Sequence, residues 1–96
     1  MTPKQKKQRF NALSEMGCVL CGRPAQIHHC KGHEFGSGMG IKSSDEMTIP
    51  LCDYHHIGAG GFHNVGKKTW EQANGTQREW LDYVNRKLKQ RGLLVA

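Results

Sequence analysis

The sequence has little apolar material and no long run of it. Of its 96 residues, 36% are hydrophobic and 7% aromatic. No window approaches the roughly 18 consecutive apolar residues that a membrane-spanning helix needs, which excludes a membrane span. The basic start, Met1 to Arg9, has no apolar stretch behind it, so it does not read as a secretory signal peptide. No internal repeat or linker divides the chain, and residues 1–96 read as one domain. A chain this short buries only about 60–65% of its unfolded surface, and its twelve glycines raise the entropic cost of folding. That combination excludes a large enzyme with a buried cofactor pocket, a coiled coil and a disulfide-dense toxin. Small scaffolds of this kind usually carry a staple, either a disulfide, a metal or a second copy.

Four cysteines and six histidines are the candidates for that staple. With no leader or span, the chain is expected in a reducing cytoplasm, where closely spaced cysteines are more often metal ligands than disulfide partners. Lys and Arg number 14 against 8 Asp and Glu, giving a net charge of +6 and favouring a polyanionic partner.

Several elements can be read along the chain. Thr2-Pro3 opens a helix that Gly17 stops, with Phe10, Leu13 and Met16 spaced by three. Lys4, Lys6, Lys7 and Arg9 load its start against the helix dipole; this fits either an external anion or a solvated, frayed end. Cys18-Val19-Leu20-Cys21-Gly22 forms a tight knuckle. Pro24 to Cys30 reads as a strand, Lys31 to Ser44 as a glycine-rich loop, and Met47 to Leu51 as a second strand in which Pro50 removes one ladder donor. Val65 to Ala73 reads as a helix ending at Asn74-Gly75. Thr76-Gln77-Arg78-Glu79 is a capping box for another helix, and Trp70, Trp80, Leu81 and Val84 read as core. The expected fold class is α+β, with a basic N-terminal helix (1–17), a zinc knuckle and metal core (18–64) and C-terminal helices (65–96).

Two half-sites of equal size, Cys18-x2-Cys21 and Cys52-x2-His55, make a Cys3His set suited to closed, tetrahedral structural zinc. Cys30-x2-His33 is a rival second half-site. It ranks lower because both halves would then sit on one short hairpin and His55 would have no role; Cys30 then reads as a small buried hydrophobe and His33 as an exposed loop residue. His28, His29, His56 and His63 remain. Adjacent histidines on a strand face opposite sides, so His28 and His29 cannot do the same job. In the second pair, one of His55 and His56 can turn to the zinc while the other faces a second site.

The order of CVLCG, IHHCKG, TIPLCDYHH, Phe62-His63, Gly66-Lys67-Lys68 and WEQANGTQREWL resembles the HNH (ββα-metal) endonucleases, and within them the phage recombination-enhancement nuclease Ref family. The matching stretches cover about three-quarters of the chain, from Cys18 to Leu81. The resemblance implies a small zinc-stapled ββα-metal, treble-clef-like fold and a DNA endonuclease with one catalytic divalent metal. His29 would be the general base, with His28, His56 and His63 on the metal. It also implies a phage or prophage origin, a bacterial host cytoplasm, a link to DNA recombination and a recombinase filament as a further partner. Two departures stand out. The gap from His56 to His63 is longer than the usual helical spacing, with Gly58 to Gly61 inserted. No Asn stands near Met47, where the motif's central Asn would fall, leaving Asp45 or a backbone carbonyl to orient His29. That missing Asn gives the alternative its weight: a non-catalytic, zinc-stabilised DNA-binding module on a degenerate HNH scaffold.

The residue types suit phosphodiester hydrolysis on their own chemistry. A neutral imidazole at His29 can accept a proton from water near neutral pH, and three histidines leave a metal with open positions for a phosphate oxygen and the leaving group. The catalytic ion is expected to be Zn2+, Mn2+ or Mg2+, with an imidazole shell favouring transition metals over magnesium. Lys4, Lys6, Lys7 and Arg9 at one end, and Arg86, Lys87, Lys89 and Arg91 at the other, are eight of the fourteen basic residues. With Lys67 and Lys68 they are the expected contacts to the DNA backbone, set against the plainer reading of solvated helix faces.

Overall fold

The computed structural model of the protein describes residues 1–93. Thr2 begins helix α1 (Pro3–Met16) with a reciprocal cap: its hydroxyl accepts from the Gln5 amide at 3.1 Å, and Gln5 Oε1 accepts from the Thr2 amide at 2.8 Å. Gly17 ends it at φ +79°, and a Cβ there would lie 2.7 Å from the Gly22 carbonyl oxygen. Only glycine lets the chain turn this sharply from helix into knuckle.

Strands β1 (Ala25–His29) and β2 (Thr48–Cys52) pair antiparallel, with Ile27 opposite Pro50 and His28 opposite Ile49. They fall within a residue or so of the expected spans, and β2 extends to Cys52. Pro50 has no amide to donate, and its carbonyl accepts instead from the Val19 amide at 3.1 Å. The cysteine knuckle thus covers the outer edge of the ribbon. A single 3-10 turn, His33–Phe35, interrupts the expected loop.

Four helices follow: α2 (Asp53–His56), α3 (Phe62–Val65), α4 (Lys67–Asn74) and α5 (Gln77–Gln90). The expected helix from Val65 instead starts at Lys67, because Gly66 sits at φ +89° and breaks the path from α3. The Thr76 capping box is present, its hydroxyl accepting from the Glu79 amide at 3.1 Å. The final residues of the expected C-terminal segment, 94–96, lie outside the described residues.

The result is a small α+β fold in which α1 packs on both strands and α5 packs on β2. Every residue of β2 is buried. Leu13, Ile49, Leu51, Trp70, Val84 and Leu88 are fully enclosed, each side chain stabilising the fold by roughly 1.5–3 kcal/mol. Of the expected tail stripe, Trp70, Leu81 and Val84 are core, whereas Trp80 is half-buried and donates its indole N–H to the Asn74 carbonyl at 2.7 Å. Among the described residues, no helix is long and apolar enough to cross a membrane.

Arg9 corrects the sequence reading. It is 1% exposed and so is not a DNA-facing residue. Its guanidinium donates to Thr48 Oγ1 and the Thr48 carbonyl, both at 2.8 Å, and to Asn85 Oδ1 at 3.0 Å. It ties α1, β2 and α5 together in the core. Burial pushes its pKa below the usual arginine value, but three charge-assisted hydrogen bonds satisfy it there. Counting charge along α1 could not separate Arg9 from Lys6 and Lys7.

Candidate functional site

Two ligand clusters flank the β-ribbon. In the first, the knuckle brings Cys18 and Cys21 against Cys52, at the end of β2, and His55, one turn into α2. His55 Nδ1 stands 3.2 Å from Cys52 Sγ and 3.7 Å from Cys18 Sγ, and the Cys21 and Cys52 sulfurs are 3.6 Å apart. Tetrahedral zinc with Zn–S of about 2.3 Å and Zn–N of about 2.0 Å has ligand–ligand edges of about 3.3–3.8 Å. The four side chains therefore already hold the spacing of a closed metal site. Trp70 fixes the backbone beneath, its indole N–H donating to the His55 carbonyl at 3.0 Å. The rival ligands do not join: Cys30 is fully buried, and burial pushes its thiol up to about 12, while His33 is exposed on the loop.

The second cluster is His28, His56 and His63, with one ring nitrogen from each lying within 4.8 Å of the others. The adjacent pair His55 and His56 divides as expected, one ring to each cluster. His63 reaches His56 although seven residues separate them, because the connection is two short helices and not one continuous helix. The Gly58–Gly61 turn folds α3 back onto the end of α2, where a Cβ on Gly61 would meet the His56 carbonyl oxygen at 2.7 Å. The Nε2 atoms of His56 and His63 then face each other at 3.1 Å. Burial, and next the neighbouring His63, lowers the pKa of His56; burial, and next Lys31, lowers that of His63. For the fully enclosed His28, burial brings the value down to about 3. Neutral imidazoles are the form that binds metal.

The buried Nδ1 of His28 has no hydrogen-bond partner, an arrangement that costs about 1–3 kcal/mol unless something fills it. A divalent cation is what three convergent neutral imidazoles, one with an orphaned nitrogen, would accommodate. Three imidazoles are a donor set that could hold one divalent metal ion.

His29 faces the other side of β1, as strand alternation requires, and does not join the cluster. Its Nε2 lies 3.0 Å from Asp45 Oδ1, and Lys6 Nζ is 3.6 Å from Asp45 Oδ2. The hydrogen bond to His29, and next the charge on Lys6, holds the Asp45 carboxyl below the usual range. A carboxylate only accepts, so Nε2 is the donor to Asp45, and in the neutral imidazole Nδ1 is then the lone-pair nitrogen. Asp45, one of the two orienting groups that the sequence left open, occupies that position.

Two glutamines escaped the sequence reading. Gln26 Oε1 lies 2.7 Å from His56 Nδ1, and Gln77 Oε1 lies 3.0 Å from His28 Nε2. Gln26 could have been found, since it precedes His28 by two and so shares its strand face. Gln77 carried no such signal, being 49 residues from its partner and already explained as part of a cap. Lys4, Lys6, Lys7, Lys67, Lys68, Arg86, Lys87 and Lys89 are exposed. Lys67 Nζ lies against Gly32, 3.1 Å from where a Cβ on that residue would stand, and next to it Lys31 adjoins the histidine cluster. Arg91 is instead ion-paired to Glu15, clamping the end of α5 to α1.

The family comparison covers nearly the whole chain. Residues 3–91 match the family described as "Protein of unknown function (DUF968)", and the chain belongs to that family. Over 54 residues it is 50% identical to the Escherichia coli (strain K12) relative "Uncharacterized protein YdfU". That match takes in 55% of this chain and 15% of the relative, so the chain corresponds to a small part of that protein's length. No solved structure matches.

Proposed function

We propose that this member of the family is a metal-dependent DNA endonuclease of the HNH, ββα-metal kind, stapled by a Cys3His zinc. The observation that carries the reading is the convergence of His28, His56 and His63, with the buried Nδ1 of His28 left unpartnered, beside a separate cysteine-rich cluster of zinc spacing. A structural zinc alone would account for Cys18, Cys21, Cys52 and His55, but not for a second, all-imidazole cluster. The order of elements, knuckle, β1, loop, β2 and α2, is the one that the HNH resemblance implies.

A divalent metal held by His28, His56 and His63 would supply positive charge to a scissile phosphate oxygen and to the departing 3′-oxygen. The remaining work falls to the protein's own side chains. His29, with Nε2 held by Asp45, offers Nδ1 to take the proton of the attacking water, and Asp45 stabilises the imidazolium that results. His28 and His29 are consecutive at the end of β1, so one strand end presents a ligand on one side and a base on the other. Lys31, whose charge acts on His28 and His63, adds cationic charge beside the cluster for the flanking phosphates. The exposed lysines and arginines of α1, α4 and α5 would hold the DNA backbone without reading sequence. A role in recombination, with a recombinase filament as partner in the bacterial cytoplasm, rests on the likeness to the Ref family.

Incubating supercoiled plasmid with the protein and Mn2+, Mg2+ or Zn2+ tests the reading. Wild type should convert it to nicked circles, and His29→Ala should lose about two to four orders of magnitude in rate while retaining fold and zinc. Binding without cleavage under every metal would replace this reading with the DNA-binding module. Its supporting observation is the absence of an Asn near Met47, whose carbonyl is instead spent on the Cys30 amide at 2.8 Å.

A further inference from the structure

Gln77 is the first residue of α5 and is completely buried, an unusual place for a side chain with two donors and two acceptor lone pairs. All the contacts needed to satisfy it are present. Oε1 accepts from the Lys31 amide at 2.8 Å, and Nε2 donates to the Lys31 carbonyl at 2.9 Å. The side chain thus reads the peptide of residue 31 as a neighbouring strand would. Glu71 Oε2 accepts from the Gln77 backbone amide at 2.8 Å and lies 3.5 Å from Nε2. Rotating the amide by 180° would set its NH2 against the Lys31 N–H and its oxygen against both the Lys31 carbonyl and the Glu71 carboxylate. The network permits one orientation only.

That orientation constrains His28. The oxygen of Gln77 lies 3.0 Å from His28 Nε2 and can only accept, so Nε2 must carry the hydrogen. In a neutral imidazole the other nitrogen, Nδ1, is then a bare lone pair, and it is the buried atom left without a partner. Gln26 does the equivalent at His56, where its oxygen takes Nδ1 at 2.7 Å and leaves Nε2 toward His63.

We propose that Gln77 is a positioning residue for the histidine metal site: it locks His28 as the Nε2–H tautomer and presents the Nδ1 lone pair to a divalent cation. The inference rests on the metal-site reading above and extends it to the C-terminal helix. Glu71 on α4 and Gln77 on α5 make the α4–α5 corner part of the site's support, so a helix remote in sequence sets the geometry of a β1 ligand. The support is also a neutral amide. A carboxylate at this position would raise the basicity of the imidazole and tighten the metal, whereas an amide fixes the ring and leaves the cation's charge undiminished.

The test uses the full chain with its zinc retained and compares wild type with Gln77→Met and Gln77→Glu. Long-range 1H–15N spectra report the His28 tautomer, and titration with Co2+ reports occupancy of the histidine site. Wild type should show one Nε2–H tautomer before Co2+ is added. Gln77→Met, which fills the space without an acceptor, should show mixed tautomers and about 10- to 100-fold weaker Co2+ binding. Gln77→Glu keeps the acceptor toward His28 but sets a second oxygen against the Lys31 carbonyl and Glu71, so it fits there only as the protonated acid, which donates as the amide does. In that form it should retain the Nε2–H tautomer and bind Co2+ about as tightly as wild type. A single Nε2–H tautomer and unchanged Co2+ affinity in Gln77→Met would overturn the proposal. Should Gln77→Met not fold, loss of the Nε2–H tautomer in Gln77→Glu overturns it equally. A locked tautomer in wild type, with no Co2+ bound by any of the three proteins, would instead remove the metal-site reading on which the proposal rests.

Discussion

His56 and His63 face each other through their Nε2 atoms at 3.1 Å, across a seven-residue gap that two short helices and a glycine turn fold shut. With Zn–N bonds of about 2.0–2.1 Å, two ligands of one tetrahedral ion stand about 3.3 Å apart. The chain thus holds two clusters of metal-ligand spacing, one of thiolates with a single imidazole and one of imidazoles only. They share the helix α2, which sends His55 to one and His56 to the other.

The thiolate cluster should carry stability and the imidazole cluster should not. Cys18 and Cys52 are buried among the apolar core, so a structural zinc there adds free energy that this small core lacks; zinc-finger peptides gain about 10–16 kcal/mol from their metal. Cys52→Ser, or a strong chelator, is expected to abolish the cooperative thermal transition followed by circular dichroism. His56→Ala should shift the midpoint by only a few degrees. Loss of folding in both variants would contradict the separation.

Acid should weaken the fold through His28. Its folded-state value of about 3 lies below the ordinary 6.5, so between these limits the unfolded chain binds an extra proton. The stability that neutral His28 supplies is complete above pH 6.5. It is lost progressively as pH falls from there through about 3, by at most about 1.4 kcal/mol per pH unit for one proton. Urea midpoints at pH 7 and pH 5 should fall further apart for wild type than for His28→Gln. Equal differences would show that His28 does not control the acid limb.

Arg9 and its lysine neighbours should separate stability from DNA affinity. Arg9→Met leaves Thr48 and Asn85 without their buried donors and should cost about 3 kcal/mol by urea unfolding. Among molecules that remain folded, the salt dependence of DNA binding should be unchanged. Lys4→Ala, Lys7→Ala and Lys67→Ala should each leave stability within about 0.5 kcal/mol and reduce the salt slope by up to about one ion. An unaltered slope in the triple lysine variant would remove α1 and α4 from the DNA-facing surface.

Much of the fold and of the candidate site is legible in the sequence, because local rules govern it. Thr2 and Thr76 announce their caps by spacing, Gly17 its helix end, and the two half-sites their chelating turns. Strand alternation separated His28 from His29. The failures have a common cause in contacts between residues distant in sequence. Arg9 looked like one of four equivalent cations on α1, and only Thr48 and Asn85, 39 and 76 residues away, make it a core residue. Gln77 was fully explained by its place in a cap, which concealed that its side chain completes the environment of His28. Gly66 is itself a break signal, but the helix expected from Val65 to Ala73 runs across it, whereas the chain stops α3 at Val65 and starts α4 at Lys67.

Metal content per chain tests the central claim most directly. Protein equilibrated with excess Zn2+, freed of unbound metal by gel filtration and analysed by elemental emission, should hold two ions. His56→Ala should hold one with its fold intact, and Cys52→Ser should fail to fold. One ion per chain in wild type, or two in His56→Ala, would contradict an imidazole metal site separate from the structural zinc.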